Sequence, residues 1–259
     1  MFRWITIFLL LILNCNGTIH TGLSFNRLKT EKTKYDEYLI DRSNGLHRLT
    51  GTTVIDSTLG IITVHGYYPS GWETKGFEWV DPLVNLSRRQ VPIWFFRHDW
   101  NKYPERTADH LHKELGPFLY QNPYLDSIWI IGHSLGGNIT ALLAEKWELN
   151  LPITVHSVAA ALGGTDRPQP GCKKIKRDEY VISNNVNFIQ WKTVKEQDGI
   201  FRNMDVDPQN VKIVGGRSQR LPEEWNNTRL GHNFSLVWVC KHIGGAIDMG
   251  HSQGTVGSG

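Results

Sequence analysis

Residues 127–147 read SIWIIGHSLGGNITALLAEKW. Ile128, Trp129, Ile130 and Ile131 form a short uninterrupted apolar run, the pattern of a strand buried on both faces. Ile139, Leu142, Leu143 and Trp147 then recur at helical spacing. Ser134 stands at the junction, with Gly132 and Gly136 two positions to either side. Small residues belong there when the backbone must double back between strand and helix and a side chain would collide. In this strand-turn-helix setting G-x-S-x-G reads as a nucleophile elbow rather than an ordinary glycine-rich turn, and Ser134 as its nucleophile.

Outward from the elbow, apolar runs rich in β-branched and aromatic residues alternate with helical patterns. The strand candidates are IITV (61–64), PIWFF (92–96), SIWII (127–131), ITVHSVAA (153–160), VNFIQWKTV (186–194) and VKIV (211–214). Asp81 and Pro82 read as the N-cap and first position of a helix carrying Leu83, Val84 and Leu86. Ala108, Leu111 and Leu115 mark one face of another, which is expected to stop near Gly116 and Pro117. This alternation predicts an α/β fold with a mostly parallel central sheet covered by helices on both faces. Ligands of such sheets bind at the carboxyl ends of the strands, where Ser134 falls. Residues 18–59 are more polar, with an edge strand expected around Thr52–Ile55; Gly244–Gly259 is rich in glycine and serine and reads as a disordered tail. One domain over 18–243 accommodates the whole pattern, without internal repeats.

The net charge of +3 is modest and the basic residues are scattered over 259 positions, so there is no nucleic-acid footprint. One cluster, Lys173, Lys174, Lys176 and Arg177, reads as a solvated loop or as a transient contact with an anionic lipid surface. The N-terminal MFRWITIFLLLILNCNG carries Arg3 and an apolar stretch from Trp4 to Leu13, too short to span a bilayer. It predicts a signal peptide over 1–17 and a secreted or extracytoplasmic protein, periplasmic or extracellular; lipid modification at Cys15 is the alternative, with Asn14 a poor fit. Export would leave Cys172 and Cys240 in an oxidising compartment, where a pair predicts one disulfide; two buried free thiols are the other reading. Sequons stand at Asn85, Asn138, Asn226 and Asn233.

A serine hydroxyl needs a base, and the base needs an orienting group. Among eleven histidines, His110 and His112 point to different faces of one helix, His133 is inside the elbow and His156 in a buried strand. His232 lies between the last strand and the apolar helix FSLVWVCKHI, at the carboxyl edge of the sheet; His242 on that helix competes. For the acid, the strand ending at Thr193 and Val194 runs into Glu196, Gln197, Asp198 and Gly199. Asp198 is the candidate by position, with Glu196, Asp166, Asp205 and Asp207 competing. Developing charge on a carbonyl oxygen calls for two donors: the amide of Leu135, and that of Tyr67 in the His65-Gly66-Tyr67 turn after the first strand.

In this order VHGYY, GHSLGG, EQDGIF and GHN resemble the α/β-hydrolase superfamily, and the GHSLGG form is similar to its lipases and esterases. The resemblance spans roughly Gly60 to His242. It implies Ser134 as nucleophile, His232 as base, Asp198 as acid and Tyr67 and Leu135 as oxyanion-hole donors, with no cofactor and no metal. AAALGGTD (159–166) is similar to the lipase stretch after the next strand but lacks the proline and histidine often found there. Only Gly163–Asn185 is left over between elbow and acid, which leaves no room for a large lid. Tyr67, Tyr68, Trp72, Trp100 and Phe201 are expected to wall an acyl site. The resulting expectation is a monomeric secreted carboxylic-ester hydrolase acting on a small-molecule or lipid ester through an acyl-enzyme. A thioesterase, acyltransferase or peptidase with the same triad, and a non-catalytic binding protein on the same fold, are the rivals.

Overall fold

The computed structural model describes residues 23–30, 35–164 and 176–244. In chain order it contains β1 (Leu23–Ser24), α1 (Phe25–Thr30), α2 (Tyr35–Leu39), β2 (Gly45–Thr50), β3 (Leu59–Val64), α3 (Val80–Leu86), β4 (Ile93–Arg97), α4 (Pro104–Gln121), β5 (Ser127–His133) and α5 (Leu135–Glu145). There follow β6 (Ile153–Val158), β7 (Glu179–Val181), β8 (Val186–Lys192), β9 (Lys212–Val214), β10 (Gly216–Arg220), β11 (Glu224–Trp225), β12 (Thr228–Arg229) and α6 (His232–Gly244). Eight strands form one sheet in the order β1-β2-β4-β3-β5-β6-β8-β10. Neighbours from β4 through β10 are parallel, while β2 runs antiparallel to β4.

Alternation along the strands divides the apolar side chains between two cores. Ile62, Trp94, Phe96, Ile130 and Val155 meet Leu111 and Leu115 of α4 and Leu143 of α5. Ile61, Ile93, Phe95, Ile131 and Ile189 meet Leu83 and Leu86 of α3 and Leu236 and Val239 of α6. Both faces of the sheet are therefore covered, which is why its strands read as unbroken apolar runs.

The sharpest local constraint is at the elbow. Gly132 pairs with Val64 and His133 with Val158, and the ladder continues through the Ser134 N–H to the Val158 carbonyl at 2.9 Å. Ser134 then adopts φ 54°, ψ −120°, a conformation costly for a residue with a Cβ, and α5 begins at the next residue. The reversal packs the first turn of α5 onto the end of β3. A Cβ on Gly136 would stand 2.1 Å from the Val64 carbonyl oxygen, and one on Gly132 2.3 Å from that of Gly136.

Several expectations need correction. Thr52–Ile55 is not a strand; the strand on that side is β2, one in from the two-residue edge strand β1, and its buried positions Gly45, His47 and Leu49 alternate with less buried neighbours. Lys212–Val214 pairs with β7 in a separate two-stranded sheet, and the outer strand of the main sheet is β10, whose exposed GRSQR carries no apolar period. α4 runs through Pro117 to Gln121, because Leu115 and Phe118 keep its apolar face on the core although the proline gives up one hydrogen bond. α3 starts at Val80, before Asp81. The expected bridge from Cys172 is not borne out at its other end: Cys240 is a free thiol, wholly buried in the α3/α6 core. Burial pushes that thiol well above its ordinary pKa. Cys172, the signal segment 1–17 with Cys15, Asp166, Lys173, Lys174 and the tail beyond Gly244 lie outside the described residues. Of the basic run, Arg177 is engaged, pairing with Glu145 at 2.9 Å over the ring of Tyr180. No described helix is long and apolar enough to cross a membrane.

Two glycine substitutions should move stability in opposite directions. Gly136→Ala forces a methyl group into backbone and should cost about 3 kcal/mol or more. Gly116→Ala on α4 meets nothing within 4 Å and should gain about 0.5–1 kcal/mol. Urea unfolding measures both; a wild-type midpoint for Gly136→Ala would contradict this account of the elbow.

Candidate active site

His232 is the first residue of α6, and its Nδ1 lies 3.1 and 3.0 Å from the two carboxylate oxygens of Asp198. Asp198 follows a short 3₁₀ turn at the end of β8 and is wholly buried. Its oxygens also accept the Thr193 hydroxyl at 2.7 Å and the Ile200 and Phe201 amides at 2.8 and 3.2 Å. Burial alone would raise this carboxyl, but the bonds from His232, Thr193 and Ile200 outweigh it and hold the pKa below the usual carboxylate value. An ionised Asp198 keeps the neutral imidazole protonated at Nδ1 and leaves the Nε2 lone pair free. Phe201 packs edge-on against the imidazole at 5.2 Å.

Behind the carboxylate lies a buried polar chain that the sequence reading missed. The Thr193 N–H donates to Gln209 Oε1 at 2.8 Å, and Gln209 Nε2 donates back to the Thr193 carbonyl at 3.1 Å. Gln190 Nε2 holds the Gln209 carbonyl at 2.7 Å, while its Oε1 accepts the Ser218 hydroxyl at 2.6 Å. The available signal was Gln190 itself, a glutamine in the middle of the apolar run VNFIQWKTV.

Ser134 and His232 line one cleft of about 500 Å³, together with Gly66 and Tyr67. A Cβ on Gly66 would stand 3.1 Å from Ser134 Cβ, so the turn after β3 is seated against the serine. That turn is anchored by a pair of neutral histidines. His65 and His98 stack at 4.0 Å; the His98 amide donates to His65 Nε2 at 3.1 Å and His98 Nε2 to the His65 carbonyl at 2.9 Å. Burial pushes His98 down to about 4, and His65 well below its ordinary value. On the other side, His133 Nε2 donates to the His232 carbonyl at 3.0 Å, tying the elbow to the start of α6. Burial, reinforced by His232, pushes His133 down to about 3 and keeps it neutral. Leu135 opens α5, so its amide is one of the donors that no helical carbonyl satisfies. Ser134 Oγ makes no hydrogen bond among the described residues, and it shares the cleft with the His232 imidazole.

The sheet order, the strained serine between β5 and α5, and the chain order Ser134, Asp198, His232 at one sheet edge settle the architecture. The fold is that of the α/β-hydrolases. No family model and no curated protein matches the sequence. Among solved structures the chain is similar to Est1E from Butyrivibrio proteoclasticus, at 12% identity over 77% of this chain and 90% of that one, with a TM-score of 0.47. It is also similar to LpqC, a poly(3-hydroxybutyrate) depolymerase from Bordetella parapertussis, at 12% identity, 76% and 81% coverage and a TM-score of 0.46. XC6422 from Xanthomonas campestris, described as an α/β serine hydrolase without lid, aligns at 14% identity over 75% and 84%, with a TM-score of 0.46. At such identities and TM-scores none of them speaks to substrate or activity.

Within this α/β-hydrolase fold the competing residues stand elsewhere. His242 turns its Nδ1 to the Trp238 carbonyl and stacks on that indole at 3.6 Å. His156 is buried against Trp191. Glu196 and Asp205 are exposed, and Asp207 accepts from Gln209. Tyr67, Tyr68 and Trp72 line the cleft as expected, whereas Phe201 backs His232 and Trp100 packs behind Tyr68. Ile200, Phe234, Glu78 and Arg229 also line it and were not anticipated. The sequons behave differently: the Asn138 amide donates to the Ala161 carbonyl at 2.9 Å, and Asn233 sits on the cleft wall. Among the described residues no group of three or more His, Cys, Asp or Glu side chains could hold a metal ion.

Thr193→Val should cost about 1–3 kcal/mol, because it strips a donor from a buried carboxylate. Asp198 has a lowered folded pKa, so its ionised form contributes stability above the unfolded value near 3.8 and loses it as pH falls through the folded value. Asp198→Asn should therefore be less stable than wild type at pH 7, with the gap closing in acid. Chemical denaturation across pH tests this; a gap that does not depend on pH would contradict it.

Proposed function

We propose that the chain is a secreted serine hydrolase that cleaves carboxylic esters through an acyl-enzyme intermediate. The observation that carries this reading is the buried, ionised Asp198 bonded to His232 Nδ1 on the wall of the cleft that also holds the strained Ser134. His232 Nε2 takes the Ser134 proton as Oγ attacks the ester carbonyl, and Asp198 stabilises the imidazolium. The carbonyl oxygen becomes an oxyanion between the amides of Tyr67 and Leu135. Collapse breaks the ester C–O bond, and the departing alcohol takes the proton back from His232. Water, deprotonated by the same Nε2, then releases the acid and restores Ser134. Tyr67, Trp72, Ile200 and Phe234 give the cleft apolar walls suited to an acyl group. The apolar stretch Trp4–Leu13 behind Arg3 supports export.

Hydrolysis of p-nitrophenyl esters and triglycerides of graded chain length tests the reading. Ser134→Ala should lower kcat by about 10⁴-fold or more, and Asp198→Asn by roughly 10³–10⁴-fold. Asp205→Asn should stay within about twofold, since exposed positions away from the site rarely matter. Turnover that survives in Ser134→Ala, or a folded wild type inert on the whole panel, would contradict it.

A further inference from the structure

Glu78 is a carboxyl group on the wall of the catalytic cleft that the chemistry above does not use. It sits in a one-turn 3₁₀ helix, Phe77–Trp79, whose Trp79 is fully buried and packs edge-on against Phe95. From this fixed base Glu78 accepts the hydroxyl of Tyr68. Tyr68 is itself buried, stacked on His65 at 5.4 Å and edge-on to Trp100 at 5.2 Å. The bond thus clamps the far end of the segment Gly66-Tyr67-Tyr68, whose near end is held by the His65–His98 pair. Between the two clamps lies the Tyr67 amide.

We propose that Glu78 is a positioning residue for the oxyanion donor: through the Tyr68 hydroxyl it fixes the turn that presents the Tyr67 amide to the reacting carbonyl. The proposal rests on the reading of Ser134 as nucleophile. A donor displaced by a fraction of an ångström loses much of its worth in the transition state while substrate binding is little changed, so the signature is in kcat. Burial pushes the Glu78 carboxyl up to about 7. The clamp therefore strengthens as pH rises through neutrality, when the carboxylate takes a charge-assisted bond from Tyr68. The other charged or titratable groups around it are Arg229, His133 and His232 across the cleft, and Arg97 near Tyr68.

The test uses the full chain as wild type, Glu78→Gln, Tyr68→Phe and the double variant. Labelling of the wild type by a fluorophosphonate comes first: a folded but unlabelled wild type would overturn the serine-hydrolase reading, and this proposal with it, whatever Glu78 does. With labelling established, Glu78→Gln should lower kcat for p-nitrophenyl butyrate about tenfold with KM within about twofold, the range expected when a donor is displaced rather than removed. Its kcat–pH profile should lose the inflection near 7. In the Tyr68→Phe background the same substitution should change nothing further. An unchanged kcat, an effect confined to KM, or an equal effect in both backgrounds would overturn the positioning role. If Glu78→Gln fails to fold, Tyr68→Phe, which keeps the ring packing, must show the tenfold loss in kcat by itself.

Discussion

The first turn of α5 can lie against the end of β3 only because Gly136 has no side chain: a Cβ there would stand 2.1 Å from the Val64 carbonyl oxygen. That close approach lets the chain leave β5 and enter a helix within one residue, and it imposes φ 54° on Ser134. The backbone strain is borne by two cores that fix β3 and β5 from both sides of the sheet, with α5 packed into one of them. The rest of the candidate site is then a matter of what the neighbouring strand ends bring to that point. β3 delivers the Gly66 turn, and β8 delivers Asp198. The chain returns once more at β11 and β12 to start α6 with His232.

The ionised carboxylate is the costliest part of this arrangement. A buried charge must be paid for in hydrogen bonds, and Asp198 receives them from a side chain, two amides and the imidazole. The line from Ser218 on the exposed β10 through the buried Gln190 and Gln209 holds Thr193 in place. The neutral histidines do a different job. His65, His98 and His133 are too deeply buried to charge, so they act as rigid hydrogen-bonding wedges at the strand ends.

Most of the sheet was legible because strands buried on both faces write continuous apolar runs, and the elbow because its glycines are required by backbone contact. Asp198 and His232 could be picked out by their place at strand and helix ends. The exposed outer strand Gly216–Arg220 was not legible, since a strand with no buried face has no apolar period. α4 was read too short because Pro117 speaks for a break locally, while Phe118 one residue later is held by the core. Gln209 and Glu78 were invisible for another reason. Their roles depend on partners sixteen and ten positions away in the chain, and nothing in a single sequence joins such pairs. The Cys172–Cys240 expectation failed at Cys240, whose place in the α3/α6 core follows from helix packing rather than from cysteine count.

The central claim is that Ser134 is the one activated hydroxyl of the chain. Peptide mapping after reaction of the folded protein with an aryl phosphonate tests it most directly. The account predicts one adduct per chain, on the peptide containing Ser134; an adduct on a different residue would contradict it.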